Sequence, residues 1–494
     1  MNSFLLEPRS WAELEFGETE LGDARRTERL VEVATAMGLK PGTSLPMAME
    51  SAAELKATYR LFSRPELTHE VLMESHCKRI QEACCKPGRY LLIGDTTLLD
   101  YSSHKATEGL GCIGAKKDHR GLLLHSTLAI AFSSSRKVSA LGHIEIHHET
   151  ELLGIFDQRL WKRSNPSTAS KKERKIAASR ARTIRPRESD RWIEVLEKMI
   201  VPEQTQWIYV ADRESDIYEC LQQCEANGVD FVIRASRPRR LFKKEGNLFK
   251  AVADAPLLGT TQLKLRAQPG SKARTVTLEL RVIEVELKGP YRPGGQLKPM
   301  KVTVVEAREK VPPKSAKEAE ETKTKAKGKA KDAPLRWVLL TRLPASTLGE
   351  VLEVVAIYRE RWLVEHYHKA LKTGMGVERF QLESANSLES AIGIVAILAA
   401  RLLGLQLLAA IHPSTPLPAD CSDPQILAYL ETRYGRPPEG WTVAAYLRAI
   451  ARLGGFIARK SDGDPGWITI WRGILQLSIL LNFLDLKNSP SRCG

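Results

Sequence analysis

RYLLIGDTTLLDYS (residues 89–102) and WIYVADRESD (residues 207–216) are the two stretches that decide the fold. Each is an unbroken apolar run that arrives at a carboxylate, Asp95 in the first and Asp212 in the second. A continuous apolar run suits a central strand covered on both faces, because a half-exposed strand alternates. An unpaired buried carboxylate is expensive, so both are expected where their strands end at the sheet edge, with a cation as partner. After the second run, DIYECLQQCEANG reads as a helix with Asp216 as cap and Gly228 as stop, followed by the strand DFVIRAS (230–236). GLLLHSTLAIAF (121–132) and VSALGHIEIHHE (138–149) add further strands. Strand, carboxylate, helix and strand again predict an α/β sheet with its chemistry at strand ends.

Outward from these strands, the N-terminal residues read as helices. Asp23 caps ARRTERLVEVATAMG, which carries Arg25, Arg26 and Arg29 in its first turns, and SAAELKATYRLF places Lys56 and Arg60 one turn apart. Arginines in a first turn oppose the helix dipole. Two explanations stay open: an external anion, or a solvated charged face. Residues 240–343 alternate in period two, as half-buried antiparallel strands do, and are interrupted by a charged low-complexity tract at 314–333. STLGEVLEVVAIYRERWLVEHYHKALKTG (346–374) predicts one long helix with a Ser/Thr start and a Gly stop. The rest is helical.

The chain has 494 residues, too many for one ordinary core, with 43% hydrophobic and 27% charged residues, as in folded globular proteins. Its 74 Lys+Arg against 59 Asp+Glu give a net charge of +15, which favours a polyanionic partner through counterion release. The eight cysteines form no CxxC pairs and read as reduced thiols. The N-terminus lacks the apolar run of a signal peptide, so a cytosolic location is expected. AIGIVAILAARLLGLQLLAAI (391–411) is long enough to span a bilayer, but Arg401 and Gln406 inside it argue for a buried core helix and no membrane partner.

On the long helix, Tyr358, Arg361, Glu365 and Lys372 fall within about 60° of one face at roughly 100° per residue. A phenol, a guanidinium, a carboxylate and an ammonium on one stripe suit a metal ligand flanked by phosphate-binding groups. An exposed ion-paired face is the bland alternative for any one of them. Ile357, Val364 and Leu371 supply a separate core-facing side.

With these motifs in view, the sequence resembles the DDE transposases of the insertion-sequence-four group, near the Tn-five transposase. The resemblance runs nearly end to end through WAELEFGETELGDARRTERL, GDTTLLDY, VADRESDIY, LRWVLLT, YRERWLVEHYHKALKTGMGVER and AIARLGGF. The family's Y-(2)-R-(3)-E-(6)-K signature falls on Tyr358, Arg361, Glu365 and Lys372. The resemblance implies an α/β, RNase H-like catalytic core interrupted by a β-rich insertion, with helical N-terminal DNA-binding and C-terminal dimerisation regions. The corresponding boundaries are 1–70 (DNA binding), 71–240 and 344–412 (the two parts of the core), 241–343 (insertion) and 413–494 (dimerisation). It implies Asp95, Asp212 and Glu365 as catalytic and metal-binding residues and Mg2+ as cofactor with Mn2+ able to substitute; no ATP is expected, because no GxxxxGK[ST] loop occurs in the sequence. It further implies that Arg361, Lys372 and Tyr358 hold transposon-end phosphates, that Trp337 stacks on a flipped base with Trp362 beside it, and that Arg234, Arg237 and Arg239 contact DNA. Arg25, Arg26, Arg29 and Arg60 complete the expected DNA-binding set. The expected partners are double-stranded DNA, as transposon ends and target, and a second copy of the chain in the synaptic complex. A bacterial, nucleoid-associated location follows from the same resemblance.

Other readings stay open: an RNase H-like nuclease without strand transfer, or a catalytically silent DNA-binding inhibitor. His143, His147 and His148 are expected at the surface without a carboxylate partner, and His366 and His368 are expected to point apart. The apolar run ILQLSILLNFL near the C-terminus suits either a partner copy or the chain's own core. The basic loop 170–187 carries no assignable role.

Overall fold

The computed structural model describes residues 3–114, 118–138, 144–163, 190–265, 274–292, 294–310, 334–411, 413–419, 424–459 and 462–488. The basic loop 170–187, the charged tract at 314–333, His143, Cys421 and Cys493 lie outside the described residues. The helices begin with α1 (Pro8–Phe16), α2 (Ala24–Leu39), α3 (Leu45–Ala48), α4 (Ala52–Phe62) and α5 (His69–Ala83). Strands β1 (Gly88–Asp100), β2 (Gly111–Cys112), β3 (Arg120–Val138) and β4 (Ile144–Trp161) follow. Then come α6 (Asp190–Glu197), β5 (Thr205–Ala211), α7 (Tyr218–Ala226), β6 (Asp230–Arg234) and α8 (Leu248–Ala253). The β-rich stretch holds β7 (Leu257–Leu265), β8 (Arg274–Leu287), β9 (Tyr291–Arg292), β10 (Gly295–Gln296), β11 (Met300–Glu309) and β12 (Arg336–Thr341). Last are α9 (Leu348–Arg359), α10 (Trp362–Lys369), α11 (Ala385–Ile411), α12 (Pro424–Tyr434), α13 (Val443–Leu453) and α14 (Trp467–Asn488).

Two compact units result. The first comprises residues 1–132, 149–174 and 362–494, and the second 133–148 and 175–361. In the first, β1 pairs antiparallel with β3 in one continuous register from Tyr90↔Ala131 to Asp100↔Gly121. Asp95 therefore stands in the middle of a strand, opposite Ser126, and not at a strand end as the apolar run suggested. The run stops at Asp95 because burial stops there: Leu91 to Gly94 are buried, while Asp95 to Thr97 are half-buried.

The centre of the first unit is α11, whose 27 residues are almost all apolar and mostly buried. A helix hydrophobic all round needs cover on every side. The N-terminal segment supplies part of it: Gly393 leaves room for Leu72, and a Cβ on Gly404 would collide with the ring of Phe4. Arg401, the charge that argued against a membrane span, donates to the carbonyls of Phe4 and Leu6 and lies 5.4 Å over the Trp11 ring. Ser390 Oγ donates to Leu67 O at 2.6 Å.

A buried polar cluster ties α1 to α5 and β4. Glu15 is 2% exposed and accepts from His76 Nδ1 at 2.8 Å and from Arg79, while His76 Nε2 accepts the Ile155 N–H at 3.0 Å. Burial pushes the Glu15 carboxyl upward, but His76 and Arg79 outweigh it and hold the pKa below its usual range. Residues 1–67 are thus welded into the first unit rather than forming a separate compact body.

The second unit is a mixed sheet in the order β5-β6-β12-β11-β8-β7. Only the β5–β6 pair is parallel among the registers described; β6–β12, β12–β11, β11–β8 and β8–β7 are antiparallel. Gly228, at φ +69°, ends α7 in the left-handed conformation that glycine tolerates best. Asp216 does not cap α7: the N-cap is Ile217, and the Asp216 carboxylate is turned elsewhere. α9 begins with a capping box in which Thr347 and Glu350 satisfy each other's backbone N–H groups.

Candidate active site

The predicted long helix is interrupted. α9 ends at Arg359, residues 360–361 form a turn, α10 begins at Trp362, and Ala370–Gly374 closes the segment as a π-helical turn. The 100°-per-residue projection that placed Tyr358, Arg361, Glu365 and Lys372 on one stripe does not apply across such a break. Glu365 and Lys372 belong to the first unit, Tyr358 and Arg361 to the second.

In the first unit, α10 packs against β1, so the helix carrying Glu365 lies on the strand carrying Asp95. The backbone N–H of Thr96 donates to Asp95 Oδ1 at 2.8 Å. Thr96 Oγ1 and His125 Nδ1 are 3.0 Å apart, and burial lowers the His125 pKa to about 3, so that ring is neutral. Lys372 donates to the Leu98 carbonyl on the same strand and lies 3.3 Å from Glu378, which itself accepts the Asp100 N–H at 3.0 Å. His368 is 7% exposed. Trp362 is 43% exposed.

In the second unit, Asp212 follows β5 directly and caps a short 3-10 turn, accepting the Glu214 N–H at 2.8 Å. Its charge is felt at Tyr358, whose pKa is raised chiefly by burial, with Arg361 and Arg234 opposing. Tyr358 is 2% exposed and meets the Trp337 ring edge-on, centroids 5.2 Å apart. Trp337 is itself 6% exposed, a packed strand residue in this state. Arg361 is 7% exposed. Burial lowers the Arg234 pKa, and its guanidinium donates to the Arg336 carbonyl at 2.9 Å and pairs with the Tyr358 hydroxyl. The second unit thus gathers Asp212, Tyr358, Arg361, Arg234 and Trp337, and the first gathers Asp95, Glu365 and Lys372.

The other expected DNA contacts fare differently. Arg239 is committed to Asp216, whose carboxylate is fully buried: Nε donates at 2.9 Å, and the same carboxylate takes the N–H groups of Ser236 and Arg237 at 2.7 and 3.0 Å. Arg237 and Arg240 remain exposed. Arg25 pairs with Asp23, Arg26 with Glu66 and Arg29 with Glu32, so each of these arginines has a carboxylate neighbour within the chain. Arg60 is exposed in the last turn of α4, where a cation suits the dipole. His148 does have a carboxylate partner, contrary to expectation: Glu360, at 3.0 Å.

Three hard carboxylate oxygens are the donor chemistry a divalent cation such as Mg2+ takes, with coordination left open for water and phosphate. By donor type Asp95, Asp212 and Glu365 fit such an ion, and two of them come from elements that pack on one another. Among the described residues no three His, Cys, Asp or Glu side chains are already clustered as a closed metal site.

Comparison with known proteins returns two family matches. Residues 8–67 match a family described as transposase DNA-binding, and residues 164–401 match the transposase DDE domain. The second match contains Asp212 and Glu365 and begins after Asp95. Among solved structures, a piggyBac transposase synaptic complex with hairpin DNA aligns at 9% identity over 100% of this chain and 80% of that one, with a TM-score of 0.33. That likeness is too slight to carry an argument.

Proposed function

We propose that this chain, a DDE transposase with its own DNA-binding region, cuts transposon ends and joins them to new DNA with Asp95, Asp212 and Glu365 as its catalytic carboxylates. The observation that carries the reading is the DDE-domain match over 164–401, which embraces Asp212 and Glu365 in their motif settings. The packing of Glu365's helix on Asp95's strand supports it.

The three carboxylates would hold divalent metal, Mg2+ with Mn2+ able to substitute, which when bound lowers the cost of developing charge at a phosphodiester. Asp95, its carboxylate steadied by the Thr96 N–H, and Glu365 present oxygen ligands from a strand and a helix. Lys372, anchored by the Leu98 carbonyl, places an ammonium beside the same strand for phosphate. Arg361 and Arg234 supply guanidinium groups around the Tyr358 hydroxyl.

In the proposed sequence, water cleaves one strand at each end and frees a 3′-OH. That hydroxyl attacks the opposite strand, closing a hairpin on the transposon end and releasing the flank. Water reopens the hairpin, and the 3′-OH then attacks target DNA. A dimer would hold two ends at once, with residues 413–494 contributing protein contacts, because one set of carboxylates serves one end at a time.

The product pattern on end-containing DNA with Mg2+ tests this. Hairpins and joined target are expected. Nicks alone would leave a nuclease, and binding without cleavage would leave an inhibitor.

A further inference from the structure

Gln158 on β4 is 4% exposed, and its amide is hydrogen-bonded at both ends. Nε2 donates to Ser126 Oγ at 2.9 Å and to Tyr367 Oη at 2.8 Å, and Oε1 accepts from His69 Nε2 at 3.0 Å. All three partners are buried, Ser126 and Tyr367 completely. An amide oxygen can only accept, so His69 carries its proton on Nε2, and burial, which lowers that pKa to about 4, keeps the ring neutral.

Two of the partners lie on the elements that hold or pair with the carboxylates. Ser126 is the register partner of Asp95 across the β1–β3 pair. Tyr367 lies two residues after Glu365 on α10. One planar amide, with two N–H bonds at a fixed angle, is therefore bonded both to the strand opposite Asp95 and to the helix of Glu365. Neither hydroxyl is near water, so sliding α10 along the sheet would strand polar groups in the core.

We propose that Gln158 is a positioning residue that sets the spacing between Asp95 and Glu365, with His69 holding its amide in the productive orientation. The inference rests on the reading of those two carboxylates given above. It assigns a role to β4 and α5, which lie outside the DDE-domain match in whole.

The test compares wild type with Gln158→Met, which keeps volume and removes all three bonds, and with Tyr367→Phe and Ser126→Ala, which remove one each. Four readouts are taken: end binding by gel shift, thermal midpoint, Mn2+ binding by loss of the free-ion paramagnetic signal, and nicking as a function of Mn2+ concentration. Gln158→Met is expected to weaken Mn2+ binding about tenfold and to raise the Mn2+ needed for half-maximal nicking in proportion, with end binding within about twofold of wild type. Tyr367→Phe and Ser126→Ala move the same way, and Gln158→Met adds little to their combination. Unchanged Mn2+ binding and nicking in Gln158→Met overturns the inference, as does a loss in which end binding and thermal midpoint fall together with activity. If Gln158→Met does not fold, Tyr367→Phe decides by the same readouts. Nicking lost in Asp95→Ala but kept in Gln158→Met sinks the positioning role alone, whereas nicking kept in Asp95→Ala sinks the carboxylate reading beneath it.

Discussion

Arg239 and Asp216 form a buried ion pair in which the carboxylate, fully enclosed, also takes the backbone N–H groups of Ser236 and Arg237. The basic segment after β6 thus has one arginine turned inward to fasten the turn and Arg237 and Arg240 turned outward. Breaking a buried pair from one side costs about 3–5 kcal/mol. Arg239→Ala and Asp216→Ala are therefore expected to lower the thermal midpoint strongly. Arg237→Ala and Arg240→Ala should leave it unchanged and weaken DNA binding, with a shallower salt dependence. A stable Arg239→Ala with a pure DNA-binding defect would reverse the assignment.

The two tryptophans should separate in the same way. Trp337 is packed edge-on against Tyr358, and truncating a buried aromatic costs about 3–5 kcal/mol, so Trp337→Ala should destabilise the protein before any DNA is added. Trp362 is 43% exposed and can meet a base face directly. Trp362→Ala is expected to change stability little and to slow the proposed hairpin step. Fluorescence of 2-aminopurine near the cleavage site, with and without each substitution, checks which ring is reached by an unstacked base.

How far the sequence could be read follows from range. Asp23 capping α2, Thr347 starting α9 and Gly228 ending α7 were legible because each is a local backbone requirement. The mid-strand position of Asp95 was not legible, since a strand's end depends on the pairing partner and β3 runs alongside to Gly121. The break at 360–361 was hidden because no proline or glycine marks it between Tyr358 and Thr373. The partners of Arg25, Arg26 and Arg29 were missed for two reasons: Asp23 and Glu32 are near neighbours read as cap and surface, and Glu66 is 40 residues away. Gln158 gave no signal at all. Its three partners come from three different elements, and only the fold brings them together.

Removing residues 1–67 is expected to leave no soluble catalytic remainder, despite the DNA-binding match that ends there. The deletion strips Phe4 from Gly404, removes the Arg401 acceptors and leaves His76 and Arg79 without Glu15. Roughly 25 cal/mol is lost per Å2 of apolar surface exposed. A monomeric, cooperatively melting fragment 68–494 would show that α11 does not need this cover.

Asp95→Ala, Asp212→Ala and Glu365→Ala should each abolish cleavage while end binding persists, because residues 8–67, which match the transposase DNA-binding family, lie apart from all three in the sequence. Replacing Mg2+ by Mn2+ should preserve nicking in wild type, and chelation should stop it. Retained nicking in any one variant removes that residue from the set.

Acid should weaken the fold in a way that can be traced to His69. Burial lowers its folded pKa to about 4, whereas an unfolded histidine titrates near 6.5. Between those two values the unfolded chain binds a proton that the folded chain does not, so stability falls as pH falls. The contribution is intact above about pH 6.5 and is lost progressively toward pH 4, at about 1.4 kcal/mol per pH unit for one proton. His69→Gln retains a donor for the Gln158 amide but has nothing to titrate. Denaturant titrations of the two proteins at pH 7, 6 and 5 should show wild type losing more stability over the interval, with the difference approaching that slope. Parallel curves would mean that the ring is hydrated or already charged in the fold, and that the amide it holds is free to turn.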